Sequence, residues 1–226
     1  VFVKFNCSHY GLTPEQPTEF EDLEAFAENN YSKELLDLDS LMAAFFEGQA
    51  PIPVSEINLQ QIALIGHSRG GGLAIVRTVL DTRIRALITW AAVDRLDNLW
   101  KDPVTVEKWK ENGQLLLHNS RTGQLMPLHI QLYQDYEFHK DRYTLELQAP
   151  KVAVPWLILH GTKDPTIPPA AAHHLHRLQP NSKLELIEEA DHVFGGRHPW
   201  PDKEPLSITA QLLVDKTLGW LKALNG

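Results

Sequence analysis

The chain has 226 residues, 43% apolar and 22% charged, a composition that suits one α/β domain with an insertion, or two small domains, around a sizeable core. Its net charge of −8, with 21 Lys and Arg residues scattered along the chain, argues against nucleic acid or an anionic membrane surface as a partner. A single cysteine, Cys7, leaves no internal disulfide framework and no Cys-based zinc site, and no apolar run approaches the roughly 18 residues of a membrane span.

In chain order, "VFVKF" at 1–5 reads as a buried strand. The chain starts there without Met or leader, so any export signal lies upstream of residue 1, and the expectation is otherwise a cytoplasmic protein. In 32–47, Leu35, Leu38, Leu41, Met42, Phe45 and Phe46 fall at spacings of three and four, which predicts a helix stopped at Gly48. The strand "IALI" (62–65) then leads into the helical "GLAIVRTVL", and "IRALITWAAV" (84–93) is a further strand. Residues 94–150 are too many for an ordinary crossover. Helical patterns around "VTVEKWK" and "LYQDYEFHKDRYTLEL" there flank two strands around a turn at 121–123. These residues are expected to form an inserted cap on a core of 1–93 and 151–226. Trp100, Trp109, Tyr133, Tyr136 and Phe138 either line a pocket under that cap or make its own small core. Strands "VAVPWLIL" (152–159) and "LELIE" (184–188) follow, then a closing helix in 205–225. Apolar strands alternating with helices predict a mostly parallel sheet in a three-layer α/β fold.

Gly66-His67-Ser68-Arg69-Gly70 is a G-x-S-x-G pentapeptide between a strand and a helix. Such a turn forces the serine into a strained conformation, requires small neighbours two residues before and after, and exposes the hydroxyl at the sheet's carboxyl edge. The following helix directs its first N–H groups at developing negative charge, so the backbone N–H of Arg69 is an oxyanion donor. A serine needs a base to take its proton, and the base needs a carboxylate to fix its tautomer. Asp164 in "HGTKDPTIP" and His192 in "ADHVFGG" each follow a strand end, in the chain order Ser, acid, His. Asp94 and Asp97 are the alternative acids, and Asp191 is expected to point away from the base.

"GHSRGG", "HGTKDPTIP" and "ADHVFGG" together resemble the α/β-hydrolase superfamily, most of all its prolyl-oligopeptidase-like and dienelactone-hydrolase-like esterase branches. The resemblance covers almost the whole chain and implies Ser68 as nucleophile, Asp164 as acid and His192 as base. It also implies that "VKFNCSHYGLTP" is the family's fourth strand and loop, with earlier strands and the second oxyanion donor belonging to a longer polypeptide. The alternative is a shortened variant whose fourth and fifth strands pair directly.

The implied activity is cleavage of a small-molecule carboxylic ester without a cofactor. A peptidase, a thioesterase or a catalytically silent binding protein of the same fold are the alternatives. His9, Tyr10, His198 and Trp200 are candidate pocket residues, and His67 is expected to pack beneath the nucleophile. His173 and His176, three apart on a helix, lack a carboxylate or cysteine to complete a metal set. Oligomeric state and acyl specificity are open.

Overall fold

Apolar runs that lack polar alternation become parallel strands here because a neighbouring strand takes their backbone groups and helices cover their faces. The structure, a computed structural model, describes residues 1–13, 15, 20–119, 122–197, 200 and 203–225. In chain order its elements are α1 (Leu23–Ala27), α2 (Tyr31–Phe46), β1 (Ile62–His67), α3 (Arg69–Leu80), β2 (Ile84–Trp90), α4 (Pro103–Asn112), β3 (Gln114–His118) and β4 (Leu125–His129). They continue with α5 (Gln131–Phe138), α6 (Lys140–Tyr143), α7 (Leu145–Gln148), β5 (Trp156–Gly161), α8 (Ala170–Leu178), β6 (Lys183–Ile187) and α9 (Ile208–Asn225). The chain divides into two units, Val1–Leu59 with Asp97–Lys140 and Gln60–Leu96 with Asp141–Gly226. The segment 94–150, expected as one insertion, is thus shared between them.

The second unit is a four-stranded parallel sheet in the order β1-β2-β5-β6. Pairings such as Gly66↔Thr89, Trp90↔Leu159 and Gly161↔Ile187 align the carboxyl ends of neighbouring strands. β5 is buried at every position, whereas β1 and β6, the outer strands of the four, are mostly half-buried. Ile88, Leu157, Leu159 and Ile187 form a core with Phe194 and with Leu213 of α9. Each such side chain contributes about 1.5–3 kcal/mol through its burial.

The first unit is organised by aromatic side chains. Trp100, Trp109, Tyr136 and Tyr31 are buried, and the Trp100 ring lies 5.8 Å from Trp109 and 5.3 Å from Tyr136. Trp109 Nε1 donates to the Leu128 carbonyl (2.7 Å), tying α4 to the antiparallel β3–β4 hairpin. These aromatics are therefore the unit's own core, except Phe138, which is 85% exposed. The expected hairpin forms, with Arg121 of its turn outside the described residues.

Two expectations are corrected. Residues 1–5 form no strand, and Val1, Phe2, Val3 and Phe5 are exposed. An apolar run becomes a strand only where a neighbour completes its ladder, and none does so among the described residues. The helical pattern of 132–147 is also broken into α5, α6 and α7, with interruptions at His139 and Thr144. By contrast α2 ends as its sequence predicts: Gly48, at φ +69°, follows the last turn in the left-handed conformation and donates its N–H to the Phe45 carbonyl.

Candidate active site

β1 runs straight into Ser68, whose φ of 56° and ψ of −124° are rare for a side-chain-bearing residue and cost about 1–3 kcal/mol. Three backbone bonds hold it there. Ser68 N–H donates to the Trp90 carbonyl at the end of β2 (2.9 Å), and the Ser68 carbonyl accepts from Gly71 (3.0 Å) and Val93 (3.2 Å). Crowding explains the glycines only in part. A Cβ on Gly66 would lie 2.4 Å from the Gly70 carbonyl oxygen and 2.7 Å from the Ala74 Cβ, but one on Gly70 would meet nothing within 4 Å. On the helix side the constrained residue is Gly71, where a Cβ would come within 2.5 Å of Ala92. The expected clash two residues after the serine is therefore absent, because the helix has already turned Gly70 away from the strands. Arg69 is the first residue of α3.

Asp164 and His192 arrive on loops fastened to each other. At Gly161, the end of β5, a Cβ would sit 2.2 Å from the Ala190 carbonyl oxygen, so only glycine permits this approach. The amide of Thr162 donates to the Ile187 carbonyl (3.0 Å), and that of Lys163 to the Ala190 carbonyl (3.0 Å). Asp164 Oδ1 accepts from the amides of Thr166 (2.8 Å) and Ile167 (2.9 Å), which leaves Oδ2 to face His192 Nδ1 at 2.8 Å. His192 Nε2 in turn lies 3.0 Å from Ser68 Oγ. Burial pushes the Asp164 carboxyl up, but the His192 hydrogen bond and the two amides outweigh it and hold the group below the ordinary Asp value. Asp191 is turned to another use: its Oδ1 accepts from Val193 (3.2 Å) and Gly195 (2.7 Å), shaping the loop that carries His192. Ser207 and Thr209 hydroxyls then fasten that loop to the start of α9 through the Phe194 carbonyl, each at 2.8 Å.

Two histidines extend this cluster beyond the sequence expectation. His67 Nε2 donates to the His192 carbonyl (2.8 Å), and the two rings lie 4.8 Å apart. His67 is exposed at the end of β1 rather than packed beneath Ser68, and through this bond it links the serine turn to the loop that carries His192. His160, fully buried in β5, places Nε2 2.8 Å from the Ile167 carbonyl oxygen and 3.3 Å from Asp164 Oδ2. Its one sequence signal is a histidine inside an otherwise apolar strand.

The other candidates have partners of their own. Asp94 pairs with His174 Nδ1 (2.8 Å), and His176 Nδ1 with Ser182 Oγ (2.9 Å). Trp200 donates its Nε1 to the Glu204 carbonyl (3.0 Å) beneath the Arg197 guanidinium, and His198 lies outside the described residues. His9 and Tyr10 belong to the first unit, where His9 Nδ1 meets Ser8 Oγ (2.8 Å) and Tyr10 packs on Phe20 (5.8 Å). Among the described residues, Glu24, Glu28 and His129 of that unit bring ligand-type atoms within 4.8 Å of one another. The Glu28–His129 contact of 2.6 Å already pairs two of them.

The comparison with known proteins agrees with this architecture. A model described as the alpha/beta hydrolase family matches residues 5–201. The chain is 26% identical over 165 residues to serine hydrolase BPHL of Homo sapiens, covering 66% of this chain and 56% of that protein. It is 29% identical over 133 residues to 2,6-dihydropseudooxynicotine hydrolase of Paenarthrobacter nicotinovorans, covering 58% and 32%. The chain therefore spans about a third to just over half the length of these curated relatives. In fold it is similar to alpha/beta hydrolase domain-containing protein 10 from mouse, with a TM-score of 0.62 at 21% identity over 88% of this chain and 72% of that one. The serine turn at the end of a parallel strand, the sheet behind it and the match across 5–201 lead to one conclusion: the chain belongs to the alpha/beta hydrolase family.

Proposed function

We propose that the protein is a serine hydrolase that cleaves carboxylic esters through an acyl-enzyme on Ser68. The observation that carries this proposal is the continuous set of contacts from Ser68 Oγ through His192 to Asp164, at 3.0 and 2.8 Å. Because ionised Asp164 can only accept, it holds the His192 proton on Nδ1 and leaves the Nε2 lone pair facing the serine.

Ser68 Oγ attacks the ester carbonyl as its proton passes to His192 Nε2. The tetrahedral oxyanion is met by the backbone N–H of Arg69, at the positive end of α3. His192 returns the proton to the departing alcohol, leaving the acyl group on Ser68. Water then attacks the acyl carbonyl, giving its proton to His192. Collapse releases the carboxylic acid and restores the Ser68 hydroxyl. The name of the BPHL relative, a serine hydrolase, is consistent with this nucleophile.

A panel of p-nitrophenyl esters set against aminoacyl anilides tests the proposal. Esters turn over and anilides do not, and Ser68→Ala abolishes ester turnover. Anilides cleaved in preference to esters would make the protein a peptidase, and turnover surviving in Ser68→Ala would place the nucleophile elsewhere.

A further inference from the structure

The backbone of Ser68 is held by the end of β2, so its hydroxyl has a fixed place before any base approaches it. His192 comes from further off. It stands on the loop after β6, 124 positions along the chain, and its imidazole must still meet Oγ at hydrogen-bond distance. The amides of Thr162 and Lys163 fasten that loop to the loop of Asp164, and the Ser207 and Thr209 hydroxyls fasten it to the start of α9. The bond from His67 reaches the serine turn itself. Its Nε2 lies 2.8 Å from the His192 carbonyl oxygen, on the residue just before the nucleophile.

A carbonyl oxygen only accepts, so His67 carries a proton on Nε2 and donates it. His192 in turn meets Ser68 Oγ through its own Nε2 at 3.0 Å. Two consecutive residues thus grip one histidine at two points: the side chain of His67 takes its main chain, and that of Ser68 takes its ring. The His67 and His192 rings lie 4.8 Å apart and are tilted by 43°. Because His67 is exposed at the end of β1, it adds little to the core.

We infer that His67 is a positioning residue for the base: its Nε2–H, bonded to the His192 carbonyl, sets the His192 main chain against the serine turn and keeps the imidazole within reach of Oγ. The inference rests on the serine-hydrolase proposal above. Asp164 orients the ring from Nδ1, but its own loop is joined to that of His192, so their bond survives any displacement that carries the two loops together. The His67 bond opposes such a displacement, because it runs from the His192 loop to the neighbour of the nucleophile. Proton transfer between Ser68 and His192 depends on that separation, and a misplacement of about 1 Å can cost about 100-fold in rate.

The test uses the whole chain with two substitutions at this exposed position. His67→Phe keeps a ring beside His192 without a donor, and His67→Gln replaces the ring by an amide that can donate to the same carbonyl. With p-nitrophenyl acetate, His67→Phe lowers kcat roughly 10- to 100-fold with little change in KM. It slows inactivation by a fluorophosphonate, which needs the same base, by a similar factor. His67→Gln recovers most of both losses. A folded His67→Phe protein with wild-type kcat and inactivation rate would overturn the inference, and so would a His67→Gln protein as slow as His67→Phe. Nitrogen-15 NMR of the unsubstituted protein gives an answer should His67→Phe not fold: His67 is protonated on Nε2, and an Nδ1–H tautomer with a bare Nε2 would overturn the inference. Wild-type protein that neither turns over esters nor reacts with a fluorophosphonate would overturn the serine-hydrolase proposal, and the role of His67 with it. An active wild type matched by His67→Phe would overturn the role of His67 alone.

Discussion

At the scale of single residues, the proposed chemistry turns on which nitrogen of His192 carries the proton. Asp164 settles this by being an ionised acceptor, because its Oδ1 is already filled by two amides and only Oδ2 is presented to the imidazole. Asp164→Asn removes that preference, since an amide can donate as well as accept. The substitution is expected to lower ester kcat about 10⁴-fold while the protein stays folded, measured by steady-state kinetics beside circular dichroism. Retention of near-wild-type kcat would assign the acid elsewhere, with Asp94 the next to examine. Ser68, Asp164 and His192 were readable in the sequence because each follows a strand end, where a parallel sheet gathers side chains from distant parts of the chain. His160 was not, because a histidine inside an apolar strand looks like core until its neighbours are known. The hydrogen bond from His67 to the His192 carbonyl joins residues 125 apart and has no local signature.

At the scale of elements, the strand-to-helix turn makes a prediction that the G-x-S-x-G pattern alone does not. The first glycine of the motif is sterically required and the second is not. Gly66→Ala drives a methyl into the Gly70 carbonyl and the Ala74 side chain, and is expected to cost about 1–3 kcal/mol in denaturant unfolding. Gly70→Ala meets open space on a helix's first turn, and is expected to be neutral or to stabilise by about 0.5–1 kcal/mol. Equal losses from both substitutions would contradict this account of the turn. The sequence anticipated β1, α3, β2, β5, β6 and the β3–β4 hairpin, because each carries its own periodicity. It misplaced a strand at 1–5 because local composition records the capacity to pair, and says nothing of whether a partner is alongside. The aromatic residues of 100–136 had two open uses in the sequence, and burial decided for packing within their own unit.

At the scale of the whole molecule, stability has an electrostatic component at the opposite end of α3 from the serine turn. Asp81, almost fully buried, accepts from Arg83 (2.8 Å) and from Arg77 (2.5 Å), whose guanidinium is itself buried. The Arg83 hydrogen bonds, with help from Arg77 and against the opposing effect of burial, hold the Asp81 carboxyl far below the ordinary range. A carboxyl depressed on folding stabilises the protein fully above its unfolded value of about 4 and loses that contribution as pH falls below it. Asp81→Asn leaves the buried Arg77 charge short of its counter-ion, and is expected to cost about 3–5 kcal/mol near neutral pH. Urea unfolding across pH should show the gap between wild type and Asp81→Asn closing below about pH 4. A gap that persists unchanged into acid would contradict this assignment. The division into two units was the least legible feature, because the joining of 1–59 with 97–140 depends on contacts between segments that carry no sequence mark of each other.

The most direct test of the central claim is to treat the protein with a fluorophosphonate and locate the modified residue by peptide mass spectrometry. A single adduct on Ser68 is expected, formed with wild-type protein and lost in His192→Ala, where the serine has no base to take its proton. An adduct on any other residue, or labelling of Ser68 that proceeds equally well without His192, would contradict it.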